Sequence, residues 1–261
     1  MSEIPPVTSR VGQAWADQFQ SEAESYRLSG GAPFLRKFAR SPYVQLILAY
    51  ARLAPGSRVL EGGCGSGKFS MCFAMVGHSV TALDFSPAIL KNVAGLREVV
   101  EREVGPLNLA LHQGDLENLD LESGQFDLVF NEGVVEHWLD HTERRAVLRQ
   151  MARVARPGGT MAIIVPNGSH PRTAYWAENA PGYRSAPPMV LYDAALIRAD
   201  LSAIGLTDLF VDGIYAWRTL DYWPTSWLHR TIGGALQHLI PLPRYLRLRW
   251  GLHLIGMGRV P

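Results

Sequence analysis

Residues 59–68, reading VLEGGCGSGK, constrain this chain more than any other segment. Val59 and Leu60 are strand-like, and four glycines follow within six positions. Glu61 opens an acidic-x-Gly-x-Gly-x-Gly pattern through Gly63, Gly65 and Gly67, with Gly62 beside it. Asp84 stands 17 positions after Gly67, at the end of a second strand-like run, HSVTALD. A Gly-rich turn after one strand and a carboxylate after the next is how a parallel α/β sheet holds a nucleoside. The glycines let the backbone approach the ligand, and the carboxylate accepts hydrogen bonds from ribose hydroxyls.

Three ligands compete for such a loop. A phosphate-binding P-loop needs Ser or Thr directly after Gly-Lys, to hold the Mg²⁺ of a nucleoside triphosphate. Here Phe69 takes that place, and Ser70 comes one position late. A dinucleotide loop, G-x-G-x-x-G, counted from Gly63 and Gly65, requires a third glycine where Lys68 stands. The remaining pattern, VLEGGCGSG, resembles that of class I S-adenosylmethionine-dependent methyltransferases of the small-molecule type.

The resemblance extends from about residue 58 to 165. HQGDL, 112–116, resembles the family's third signature, and FDLVFNEGVVEHW, 126–138, its fourth. The run LRQMARVARPGGTMAIIVPN resembles the helix, Pro-Gly-Gly turn and fifth strand of that family. The resemblance implies S-adenosyl-L-methionine as cofactor. It implies that Glu61, Gly62, Gly63, Gly65 and Gly67 line its methionine and ribose, and that Asp84 binds the ribose hydroxyls. Phe85 would flank the adenine, Ser86 would contact the cofactor, Asp115 and Leu116 would hold the adenine edge, and Asn131 and Glu132 would contact the cofactor from the fourth strand. His137 follows the turn that faces the methyl group and is the candidate base. Residues 136–141, E-H-x-x-D-H, form no specific metal signature, and no metal is assigned.

The coarse pattern predicts a doubly wound α/β fold with a seven-stranded, mostly parallel sheet. Strands are expected near 58–62, 79–84, 108–112, 126–131, 160–165 and 206–216. The resemblance makes the last strand antiparallel, with WGLHLIGMGRV, 250–260, as its candidate. Helices are expected at 86–103, opened by Ser86-Pro87, and at 142–155, opened by Thr142-Glu143. Before the core, residues 1–53 read as a helical cap of two helices broken at Gly30-Gly31-Ala32-Pro33. The first carries Trp15, Phe19, Ala23 and Tyr26 on one stripe. The second opens with Ser41 as N-cap and Pro42 at the first helical position. The core then spans 54–217 and 250–261, with 218–249 as an insertion.

Two segments are individual to this chain. Residues 166–189 hold five prolines with Tyr175, Trp176 and Tyr183, at the carboxyl end of the fifth strand beside the ligand crevice. Residues 217–250 hold four of the seven tryptophans, and no Asp or Glu occurs from Tyr222 onward, against Arg230, Arg244, Arg247, Arg249 and Arg259. Three roles fit that insertion: a packed cover, a lid over a hydrophobic or anionic substrate, or peripheral contact with anionic lipid. Trp15, Tyr26, Tyr175 and Trp176 are the candidate substrate residues.

A net charge of +1 creates no global field for nucleic acid, and the turn Asn131-Glu132-Gly133-Val134 lacks the prolines of nucleic-acid amino-methyltransferases. Two cysteines, Cys64 and Cys72, exclude a disulfide scaffold and fit a reducing cytoplasm. No secretory signal is read in the first 30 residues, and no apolar run reaches the roughly 18 residues of a membrane span. The expected function is methyl transfer to a small acceptor, hydrophobic or lipid- or sugar-bearing, most commonly at oxygen in such enzymes. The alternative is a protein of the same fold that binds the cofactor without transferring methyl.

Overall fold

The structure, a computed structural model, describes residues 31–173, 188–216 and 242–261. Its sheet has seven strands: β1 (Arg58–Gly62), β2 (Ser79–Asp84), β3 (Leu109–Gln113), β4 (Phe126–Glu132), β5 (Ala155–Pro166), β6 (Thr207–Ile214) and β7 (His253–Arg259). Their order is β3-β2-β1-β4-β5-β7-β6. β1 to β5 pair in parallel, and β7 runs antiparallel between β5 and β6. The order reverses beside β1, between β2 and β4. Open α/β sheets bind ligands at the carboxyl ends of their strands at such a switch point.

Helices cover both faces, so the central strands read as continuous apolar runs rather than alternating ones. α1 (Gly31–Phe38), α2 (Pro42–Ala51), α3 (Lys68–Met75) and α4 (Pro87–Val104) serve one face. α5 (His141–Val154) and α6 (Ala194–Ala203) serve the other. α4 buries Ile89, Val93 and Val100, which recur near multiples of the helical turn. In β1 and β4, Leu60 and Leu128 are fully buried, each contributing about 1.5–3 kcal/mol. A short helix, α7 (Arg244–Trp250), crosses β6 at Gly213, where a Cβ would stand 1.8 Å from the Arg247 carbonyl oxygen. Arg247 Nε donates to both oxygens of Asp212 at 2.9 and 3.1 Å, and Asn167 Nδ2 donates to the Leu248 and Gly251 carbonyls at 2.9 and 2.8 Å.

Several expectations need correction. Residues 31–38 form a helix, α1, beyond the two expected, with Ala32 and Pro33 in its first turn, where proline is tolerated. Ser41 stands at the N-cap of α2, but its side chain makes no cap bond, and its hydroxyl is buried without a partner among the described residues. Asp140, not Thr142, caps α5, accepting from Thr142 N and Glu143 N at 2.7 and 3.0 Å. β5 starts five residues earlier than expected, running through Pro157-Gly158-Gly159 by way of an irregularity opposite Phe126–Leu128. The last strand starts at His253, and residues 244–250 form α7 packed on the sheet. α6, capped by Asp193, was not foreseen. The striped helix of Trp15, Phe19, Ala23 and Tyr26 lies outside the described residues.

Candidate functional site

The chain leaves β1 at Gly62 and turns through Gly63, Gly65 and Gly67, whose φ angles are +70°, +49° and +70°. A side chain at such an angle strains the backbone by about 1–3 kcal/mol. Gly62 and Gly63 are also points of close approach. A Cβ on Gly62 would lie 2.8 Å from Leu116 Cδ2, and one on Gly63 2.7 Å from Val134 Cγ2. The N–H groups of Gly63 and Cys64 both donate to the Leu83 carbonyl, at 2.8 and 2.9 Å, which ties the turn to the end of β2.

Two buried carboxyls hold the two sides of this turn. Glu61 is 2% exposed and accepts from both the N–H (2.8 Å) and the hydroxyl of Ser70 in α3. Burial pushes its carboxyl up to about 8; the Ser70 hydrogen bonds and Lys68 oppose that rise, and Glu132 adds to it. Asp84 is 3% exposed, with Oδ2 accepting from Gly65 N at 3.1 Å and Oδ1 from Ser86 N at 3.0 Å. Burial pushes it to about 6, while these main-chain donors favour the anion. An ionised carboxylate offers about four lone-pair positions, so these donors leave room for a ligand hydroxyl. Ser86 then caps α4 through Ile89 N at 3.4 Å, and Gln113 Nε2 fixes the Phe85 carbonyl at 3.1 Å.

Beyond β3, Asp115 Oδ1 accepts from Glu117 N at 2.9 Å, and Asp115 bridges to Asn118. This small turn sets buried Leu116 against Gly62. At the end of β4 the side chains diverge. Asn131 is fully buried, with its amide nitrogen 3.2 Å from Met151 Sδ of α5 and its Oδ1 without a partner among the described residues. Glu132 is partly exposed and pairs with Lys68 Nζ at 3.0 Å. The turn Val135–His137 follows. Burial pushes Glu136 up to about 8, and its Oε2 has no partner among the described residues. His137 is buried, with Nδ1 3.2 Å from the Pro188 carbonyl. A carbonyl only accepts, so that nitrogen carries the proton and the lone pair of the neutral ring sits at Nε2.

The fold thus gathers Glu61, Gly62, Gly63, Gly65, Gly67, Asp84, Phe85, Ser86 and Leu116 around one crevice edge. Asn131 is buried at the end of β4 beside them, with Oδ1 unpartnered among the described residues. Trp15, Tyr26, Tyr175 and Trp176 lie outside the described residues. Sequence reasoning passed over Ser70, Lys68 as the partner of Glu132, and a Tyr43–His253 hydrogen bond of 2.7 Å. The Gly-Lys-Phe-Ser spelling invites comparison only with a phosphate loop. Nothing local links Tyr43 to His253, which are 210 positions apart. The site suits an adenosyl ligand. Its backbone lacks Cβ atoms where Leu116 and Val134 close in, and a carboxylate backed by main-chain donors ends β2.

Residues 60–163 match the model of a methyltransferase domain family. The chain is 32% identical over 170 residues to the ubiquinone biosynthesis O-methyltransferase of Xanthomonas oryzae pv. oryzae (strain PXO99A), covering 64% of this chain and 66% of that relative. It is 30% identical over 190 residues to the malonyl-[acyl-carrier protein] O-methyltransferase of Erwinia pyrifoliae, covering 70% and 68%. The chain therefore matches about two thirds of the length of these relatives. A solved S-adenosylmethionine-dependent methyltransferase from Thermotoga maritima superimposes with a TM-score of 0.60 at 14% identity, over 97% of this chain and 100% of that one. One from Aquifex aeolicus gives 0.57 at 15% identity, over 92% and 98%. At these identities the likeness is one of fold.

Proposed function

The chain belongs to the class I S-adenosylmethionine-dependent methyltransferases, and from that premise we propose that it transfers a methyl group to an oxygen of a small acceptor. The observation that carries this reading is the intact clamp on the Gly-rich turn: Glu61 on Ser70 at one side, Asp84 on Gly65 and Ser86 at the other. When bound, S-adenosylmethionine supplies a methyl already activated as a sulfonium. The protein's share is then to bind, orient and keep water out. Positioning of this kind can supply about 7–11 kcal/mol of a barrier.

In this reading Asp84 takes the ribose hydroxyls, Phe85 flanks the adenine, and Leu116 and Asp115 close on its edge. Glu61 and the main chain of Gly63, Gly65 and Asn131 line the methionine end, with Glu132 beside them. His137 takes a proton at Nε2 where the acceptor must lose one, a role worth roughly 10²–10⁴-fold. Its bond to the Pro188 carbonyl sets the tautomer that role needs. Oxygen is favoured as acceptor atom because both named relatives are O-methyltransferases. The acceptor itself is read as hydrophobic, or lipid- or sugar-bearing. No helix among the described residues is long and apolar enough to cross a membrane, and a cytoplasmic setting is part of the proposal. So is peripheral lipid contact near 218–249, where α7 leaves Tyr245 and Trp250 exposed.

Calorimetric titration with S-adenosylhomocysteine, beside ATP and NAD, tests the reading. Micromolar binding of the first alone is expected. Formation of S-adenosylhomocysteine from S-adenosylmethionine only when an acceptor is added then separates a transferase from a protein that merely binds the cofactor. Binding of ATP or NAD in its place would overturn the assignment.

A further inference from the structure

Five elements bring side chains to the carboxyl edge of the sheet beyond the nucleoside turn. Lys68 opens α3, directly after the Gly-rich turn. Glu132 ends β4. His253 opens β7, level with Pro166 at the end of β5 and Ile214 at the end of β6. Tyr43 lies in the first turn of α2, and Tyr215 follows β6. An antiparallel β7 is what makes this meeting occur: its first residue, not its last, reaches the ligand edge.

The contacts among them form a ring-walled, hydrogen-bonded group. Tyr43 Oη lies 2.7 Å from His253 Nδ1. The Tyr43 ring meets those of Phe69, Tyr215 and His253 edge-on, at centroid distances of 5.8, 5.0 and 5.7 Å. Lys68 Nζ, 3.0 Å from Glu132 Oε2, also lies 5.3 Å from the Phe69 centroid and 6.0 Å from that of Phe38. Tyr215 holds φ at +60°, a conformation a bulky residue adopts only when its surroundings impose it. Such strain concentrates at binding and catalytic positions. Burial holds the His253 imidazole below its ordinary range, opposed by Glu132 and reinforced by Lys68, so both charges are felt at the ring. Lys68, Glu132, His253, Tyr215 and Phe38 are all partly exposed, with the buried Tyr43 and Phe69 rings packed behind them.

Resting on the methyl-transfer reading above, we propose that this group is the acceptor subsite and that it selects a planar phenol, its hydroxyl oxygen held by the His253 imidazole and the Lys68 ammonium. The partly exposed rings of Tyr215, Phe38 and His253 give a flat ring edge-on and offset contacts. The imidazole accepts or donates at the nitrogen that Tyr43 does not engage. The ammonium, already lying over two rings, adds a charged donor to the hydroxyl oxygen. An aliphatic carboxylate could use the Lys68 charge but would leave the ring wall without complementary contact. Tyr43 acts through His253 and is a positioning residue.

The test uses the full chain saturated with S-adenosylhomocysteine and three probes: catechol, 3,4-dihydroxybenzoate and malonate. The imidazole resonances of His253, assigned by comparison with His253→Gln, are followed by NMR. Catechol or 3,4-dihydroxybenzoate is expected to shift them, and malonate is not. Tyr43→Phe and His253→Gln are each expected to weaken phenol binding at least tenfold while S-adenosylhomocysteine affinity stays within twofold. Tyr43→Phe keeps the ring in the core, so folding is preserved. The proposal is overturned if both phenols leave the His253 resonances unmoved, if malonate alone moves them, or if both variants bind the phenols as the parent does. Loss of S-adenosylhomocysteine binding by the parent chain would instead sink the methyl-transfer reading.

Discussion

Gly63→Ala isolates the demand that the ligand turn places on its backbone. Two costs arise there. The φ of +70° strains any residue with a Cβ by about 1–3 kcal/mol. The added methyl also meets Val134 Cγ2 at 2.7 Å, an overpacking worth about 1–3 kcal/mol. Val134 is only partly buried and can give somewhat, so the sum should fall in the lower half of roughly 2–6 kcal/mol. For a chain of this size that lowers the melting temperature by on the order of 5–15 °C. Val134→Ala in the same chain should relieve the overpacking but not the backbone strain. The double variant should therefore be more stable than the two single losses predict, by about 0.5–3 kcal/mol. Thermal and urea unfolding of the four proteins give the cycle, and calorimetry with S-adenosylhomocysteine should show weaker binding in both Gly63→Ala chains. A single variant within about 0.5 kcal/mol of the parent, or strictly additive losses, would refute the reasoning.

Other outcomes follow from the same geometry. Asp84→Ala removes the carboxylate that spans Gly65 and Ser86, and should cost at least tenfold in S-adenosylhomocysteine affinity; unchanged affinity by calorimetry would show that the strand alignment is wrong. Arg144→Met leaves Asp200 fully buried with only Arg145 and Tyr192, and should destabilise by about 3–5 kcal/mol in urea titrations, with much of the loss recovered by adding Asp200→Asn. The pH dependence has a definite sign. Glu61 and Glu136 are raised from 4.5 to about 8, and Asp84 from 3.8 to about 6. Their folded values lie above the unfolded ones, so their contribution is complete below pH 4 and is lost as pH rises through 6 and then 8. Glu61→Gln keeps the neutral shape, so its stability relative to the parent should improve between pH 5.5 and pH 8.5. A relative stability that does not change with pH would contradict a buried, neutral Glu61.

What was legible in the chain is what neighbouring residues settle among themselves. Conformation at Gly63, Gly65 and Gly67 depends on having no Cβ, and Ser86-Pro87 carries its own cap and fixed φ. Asp84 follows its strand by direct continuation. The buried parallel strands announce themselves because both faces are covered, so apolar residues run without alternation. These local features place five of the seven strands to within two residues at each end; β5, which begins five residues early, and the last strand, which begins three residues late, are the exceptions.

Long-range pairing followed a different logic. Asn131 has the composition of a ligand residue, and the register of β4 against β5 buries it with Nδ2 on Met151 and Oδ1 unpartnered among the described residues. Ser41 has the spelling of a cap and makes none, while Asp140, two positions before the expected start of α5, makes two. Tyr43, Lys68, Glu132 and His253 meet because β7 inserts in the opposite direction between β5 and β6 and delivers its first residue to the edge where the parallel strands deliver their last. Pairing across the sheet joins residues as far as 99 positions apart, as Thr160 and Arg259 are, and no local preference sets it. The ligand turn is therefore written in ten consecutive residues, whereas the group beside it exists only once the sheet has closed.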